Sequence, residues 1–116
     1  MARILIIEDD LQMLEIILYT LKREGYDVIG TLSGEEGMML YRRMNFDLII
    51  TDLFLPDTLG LEIIVKLRKE GDLKIIAISD GMASFEMARR MGAHYSLTRP
   101  FSMNELSSAV KELLGD

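Results

Sequence analysis

Leu48-Ile49-Ile50-Thr51-Asp52 is the stretch that decides how this chain folds. Its apolar residues are consecutive rather than alternating, which suits a parallel strand buried on both faces. A carboxylate closes the run, which marks the end of that strand as a place where chemistry can occur. Similar runs stand at Ile4 to Ile7 and Ile75 to Ile78, with weaker strand candidates at Asp27 to Leu32 and His94 to Leu97. Between them the apolar period changes to that of a helix, as at Leu14, Ile17, Leu18 and Leu21. Ser33 with Glu36 and Ser102 with Glu105 have the spacing of capping boxes, in which each side chain serves the other residue's free N–H. Gly25 and Gly71 follow helical segments as stops.

The order is therefore strand then helix, five times. Parallel strands need crossovers, and right-handed crossovers put helices on both faces of the sheet. The expected architecture is α/β, a (βα)5 doubly wound five-stranded parallel sheet with the flavodoxin-like strand order 2-1-3-4-5. At 116 residues the chain is expected to be one domain, 1–116, with no output domain. It has no cysteine, which suits a reducing compartment, and the cytoplasm is the expected location. Its apolar runs fall far short of the roughly 20 residues needed to cross a bilayer, and the chain enters a strand at once, so neither membrane nor signal peptide is expected. Nineteen acidic against thirteen basic residues give a net charge of −6, which opposes direct nucleic-acid binding.

Four of the five strands end on residues with chemistry. Glu8, Asp9 and Asp10 follow the first, Asp52 ends the third, Ser79 ends the fourth, and Arg99 follows the fifth. Ligands of doubly wound sheets bind beyond the carboxyl ends of the strands, where strands 1 and 3 are neighbours. Acids distant in sequence then converge, and their mutual repulsion calls for a cation. Hard oxygen ligands select magnesium. With a hydroxyl and a guanidinium on the adjoining strands, the set suits phosphoryl transfer, which depends on positioning and on neutralising oxygen charge. Simpler readings exist for single residues: acids opening a helix complement its dipole, Ser79 suits a turn, His94 suits a strand edge, and Met82, Met87 and Met91 suit core filling ahead of a docking surface.

Taken together, E-D-D after the first strand, D-x-x-L-P after the third, the terminal serine of the fourth and R-P-F after the fifth resemble the CheY-like receiver domain of two-component response regulators over essentially the whole chain. The resemblance implies a signalling domain rather than an enzyme. In it Asp52 is the phosphoacceptor, and a histidine kinase or phosphotransfer protein is the donor. Asp9 and Asp52 bind Mg2+ directly, Glu8 acts through water, and Phe54 lends its backbone carbonyl. Ser79 and Arg99 meet the phosphoryl group, and Pro100 follows a cis peptide bond. A homodimer through the face of helix 4, strand 5 and helix 5 is left open.

Three residues depart from the family pattern. Arg99 replaces the usual lysine with a wider, planar cation. Ser96 occupies the switch position where an aromatic is usual, and Tyr95, one residue away, is expected on the opposite side of the sheet. Asp80 puts a negative charge beside Ser79, where it is expected to repel an incoming phosphoryl group. The stretch from Asp52 to Arg99 is also short for the family. These departures keep a second reading in view, an atypical receiver acting as a phosphorylation-independent interaction module. An aspartyl phosphatase would need an acid where Phe54 stands.

Overall fold

The computed structural model describes residues 1–116, with the side chains of residues 82–85 outside the description. Strands and helices alternate along the chain: β1 (Arg3–Ile7), α1 (Leu11–Arg23), β2 (Asp27–Thr31), α2 (Gly34–Arg43), β3 (Leu48–Asp52), α3 (Gly60–Glu70), β4 (Lys74–Ser79), α4 (Met82–Met91), β5 (Tyr95–Thr98) and α5 (Met103–Leu114). They build one five-stranded sheet in the order β2-β1-β3-β4-β5. Every neighbouring pair is parallel.

The unbroken apolar runs follow from this burial. Ile4 and Ile6 of β1, Leu48 and Ile50 of β3, and Ile76 and Ile78 of β4 pack on one face against Leu14, Ile17 and Leu21 of α1 and Leu106, Ala109 and Val110 of α5. Leu5, Ile7, Ile49, Ile75 and Ala77 point the other way, onto Met38 of α2, Ile63, Ile64 and Leu67 of α3, and Ala88 of α4. Side chains alternate across a strand, so two-sided burial demands apolar residues at successive positions. No helix among the described residues is long and apolar enough to cross a membrane.

The capping boxes form only in part. Ser33 Oγ accepts the Glu36 N–H at 3.0 Å and Ser102 Oγ accepts the Glu105 N–H at 3.1 Å. The Ser33 N–H, however, donates to Thr31 Oγ1 at 3.2 Å instead of to Glu36. Thr31 is already fixed at the end of β2, so this bond orders no long side chain. Gly25 takes the left-handed conformation, with φ +97°. Gly71 ends α3 in extended backbone and donates its N–H to Leu67 O at 3.2 Å.

Core filling by the methionines of α4 is not what the structure shows. Met87 and Met91 are exposed, and Ala88 is the fully buried residue of the helix among those described. The Met82 side chain lies outside the described residues.

His94 stands just before β5, and its role is more specific than that of an edge residue. Its Nδ1 accepts the Ile75 N–H at 3.1 Å, tying the start of β5 to β4. That leaves the ring proton on Nε2, which faces Arg68 Nη1 at 3.3 Å. Burial, then Arg68 and Lys74, hold the imidazole below its usual pKa. The unfolded chain therefore binds a proton before the folded one does, and this contribution to stability is lost as pH falls from the ordinary histidine range through the folded value. We expect urea unfolding of the wild type and His94→Asn to differ in pH dependence over that window. Parallel curves would show that the neutral ring is not held by the fold.

Candidate functional site

The register of the sheet gathers the chemistry at one edge. Glu8 and Asp9 leave β1, Asp52 closes β3 opposite Ile78 of β4, and Ser79 pairs with Thr98 just before Arg99. Two backbone bonds continue the sheet into the site, Leu53 N–H to Ile78 O at 3.1 Å and Arg99 N–H to Ser79 O at 2.9 Å. Glu8 and Asp52 are buried, whereas Asp9 is exposed at the rim. The Arg99–Pro100 peptide bond is cis.

Arg99 is the centre of the polar contacts. Its Nη2 donates to Glu8 Oε1 at 2.7 Å and to Asp52 Oδ1 at 2.6 Å, while Nη1 donates to Asp80 Oδ1 at 3.2 Å. The other oxygen of Glu8 accepts the Asp10 N–H at 3.0 Å. Asp10 itself caps α1, accepting the Met13 N–H at 3.2 Å, so the helix-terminus reading holds for this one acid of the three. Asp52 Oδ2 and Ser79 Oγ are buried with no hydrogen-bond partner among the described residues. Carboxylate oxygens of Glu8, Asp9 and Asp52 lie within 4.8 Å of one another.

The electrostatics are those of crowded acids sharing one cation. Burial and then the facing Glu8 push the Asp52 carboxyl well above its ordinary range, against the pull of Arg99. Burial would lower Arg99, but the carboxylates of Asp52 and Glu8 outweigh it and keep the guanidinium charged. Two buried oxygen-bearing groups without partners beside a cluster of acids form a donor set for a hard cation and an acceptor for transferred charge. A family model for the response regulator receiver domain matches residues 4–111.

The chain belongs to that family. Relatives agree over nearly the whole chain. The cell cycle response regulator CtrA of Brucella abortus is 36% identical, with 97% of this chain and 50% of that protein covered. Among solved structures, the receiver domain of the TMAO respiratory system response regulator TorR superposes with a TM-score of 0.93 at 30% identity, covering 99% of this chain and 98% of that one. The response regulator protein TrrA of Thermotoga maritima, solved in complex with Mg2+-BeF, gives a TM-score of 0.89 at 30% identity, covering 97% and 99%. This receiver domain spans about half the length of the curated relatives it matches.

In this receiver domain, Ser96 is buried on the face opposite Tyr95 and Leu97, beside Ala77 of β4, and its Oγ has no partner among the described residues. Phe54 is exposed and forms an isolated antiparallel bridge with Leu59. Asp80 and Gly81 separate β4 from α4, and the largely exposed Asp80 carboxylate pairs with Arg99 at 3.2 Å.

Two residues at the site were not anticipated from sequence. Gly60 opens α3 against the end of β3, and its N–H donates to Leu53 O at 2.7 Å. Asp57 reaches across to α2, where Oδ1 accepts the Gly34 N–H at 3.0 Å and Oδ2 the Glu35 N–H at 2.8 Å. Those backbone bonds hold the Asp57 carboxyl below its ordinary pKa. The glycine eight positions past Asp52 was a usable signal of close backbone approach, since a Cβ there would meet the backbone of Asp52 and Leu53. Asp57 carried none, because its partners are backbone groups of a distant helix.

Proposed function

We propose that this receiver domain takes a phosphoryl group on Asp52 from the phosphohistidine of a partner histidine kinase or phosphotransfer protein, in a magnesium-dependent step, and signals through the resulting change of conformation. The observation that carries this reading is Asp52 Oδ2, a buried carboxylate oxygen without a partner among the described residues, at the end of the strand next to the one that closes on the equally unpartnered Ser79 Oγ. An oxygen of Asp52 bonds to phosphorus as the phosphorus–nitrogen bond breaks, and the imidazole leaves with the electron pair and takes up a proton. Ser79 Oγ donates to a phosphoryl oxygen, and Arg99 neutralises the charge of another.

The oxygen donors at the site fit a hard divalent cation. Asp9 and Asp52 would hold it directly, Glu8 through water, and Phe54 by its backbone carbonyl. Bound there, magnesium would offset the negative charge that builds on the phosphoryl oxygens. The Mg2+-BeF complex of the related TrrA supports this choice. We treat residues 1–116 as a single receiver module whose output lies with a downstream partner or a fused domain.

Incubating the domain with magnesium and acetyl phosphate is expected to add one acid-labile phosphoryl group, absent from Asp52→Asn and prevented by chelator. Labelling that persists in Asp52→Asn would overturn the assignment. The pairing of Arg99 across Glu8, Asp52 and Asp80 favours the second reading, a module that acts unphosphorylated, and the absence of labelling with any donor or kinase would select it.

A further inference from the structure

We propose that Arg99 is a built-in competitor for the divalent cation, and that Asp80 is the second seat that receives its guanidinium when the metal enters. This rests on the magnesium reading given above. One nitrogen, Nη2, bridges Glu8 Oε1 and Asp52 Oδ1 at 2.7 and 2.6 Å. These are two of the three carboxylates within 4.8 Å of each other, so a positive group already lies between acids that a cation would neutralise. The second Glu8 oxygen is engaged by the Asp10 N–H. Glu8 therefore has neither oxygen free, and Asp52 has only Oδ2.

Two cations cannot share these oxygens without repelling each other at contact distance. The guanidinium has a way out that keeps one of its three ion pairs. Nη1 already donates to Asp80 at 3.2 Å, and the Asp80 side chain is largely exposed, at 70%. Rotation about the Arg99 side chain toward Asp80 frees Glu8 Oε1 and Asp52 Oδ1 while keeping the charge at the rim, where an incoming phosphoryl group arrives. A planar fork with donors on two nitrogens can hold both seats at once. Asp80 is thus a positioning residue for Arg99.

When the metal-competent arrangement is a minor state, the apparent dissociation constant rises by the inverse of its population. Removing the competitor is therefore expected to tighten magnesium binding about tenfold, as for a state populated roughly one part in ten. General attraction between a cation and a less positive protein would also tighten it. Only that contribution fades in about 0.5 M salt, where screening acts within roughly 4 Å.

The experiment is magnesium titration of the intact domain, Arg99→Gln, Asp80→Asn and Asp9→Asn at low and high salt, followed by calorimetry and amide shifts. Guanidinium 15N–1H resonances of Arg99 are recorded in the wild type. The expected results are tighter binding in Arg99→Gln and weaker binding in Asp80→Asn, both persisting at high salt, with Arg99 guanidinium signals that move at the same midpoint as magnesium saturation. Unmoved guanidinium signals, or equal affinity of wild type and Arg99→Gln at high salt, would overturn the competition while leaving a metal site that Asp9→Asn abolishes. Unchanged affinity in Asp80→Asn would remove Asp80 as the second seat. No magnesium binding by any of the proteins would overturn the metal reading, and this proposal with it. The wild-type guanidinium signals decide the matter even if Arg99→Gln folds poorly.

Discussion

Gly60→Ala is expected to destabilise the domain by about 3 kcal/mol or more, at the upper end of what overpacking usually costs. A Cβ at Gly60 would stand 1.8 Å from the Asp52 carbonyl oxygen and 2.8 Å from both Asp52 C and Leu53 Cα. All three are backbone atoms of the central strand and its exit, so no flexible side chain can turn aside. Relief requires the first turn of α3 to retreat, which breaks the 2.7 Å bond from the Gly60 N–H to Leu53 O and opens the packing of Ile63 and Ile64. Against a typical total of about 5–15 kcal/mol, a loss of this size is a large share of the stability. Urea unfolding gives the number, and a cost below about 1 kcal/mol, the range of surface changes, would show that α3 is not seated as tightly as described.

The second large effect is expected for Arg99→Ala in the absence of magnesium. The substitution leaves Glu8 and Asp52 side by side, 0% and 2% exposed, with their shared cation gone. Losing one partner of a fully buried ion pair costs about 3–5 kcal/mol. Arg99 itself is 29% exposed, so solvent screens part of the interaction and about 2–3 kcal/mol is the expected loss. A cation that binds only the folded state stabilises it by mass action. Saturating magnesium should therefore recover most of that loss in Arg99→Ala. The same magnesium should stabilise the wild type less. A variant as stable as the wild type without metal would mean that Glu8 and Asp52 do not rely on Arg99.

What could be read from sequence divides along the range of the interactions. The three central strands were legible because two-sided burial writes itself as consecutive apolar residues, at Ile4 to Ile7, Leu48 to Ile50 and Ile75 to Ile78, whereas β2 and β5 at the edges gave weaker runs. The convergence of Glu8, Asp9, Asp52, Ser79 and Arg99 followed from the topology alone, since each stands at the same edge of the sheet. Side-chain partners were not legible. The ion pair of Asp80 with Arg99 joins residues 19 positions apart, and no local pattern announces it. Met87 and Met91 were assigned to the core from their hydrophobicity, but it is Ala88 that the helix buries. The reach of Asp57 to α2 depends on loop shape across 23 residues of sequence, which no local pattern encodes.

That reach gives the domain a mechanical linkage. Both Asp57 oxygens are committed to the first turn of α2, and the same loop is anchored five residues earlier at Asp52 and three residues later where Gly60 meets the backbone of Asp52 and Leu53. The segment between Asp52 and α3 is thus fastened at three points, one of them on another helix. It cannot alter its path while the first turn of α2 keeps its cap. Loop shape and helix start therefore form a single degree of freedom, and any rearrangement at Asp52 that travels along this segment is delivered to α2, beside β1 and β2 and away from the β5 edge of the sheet.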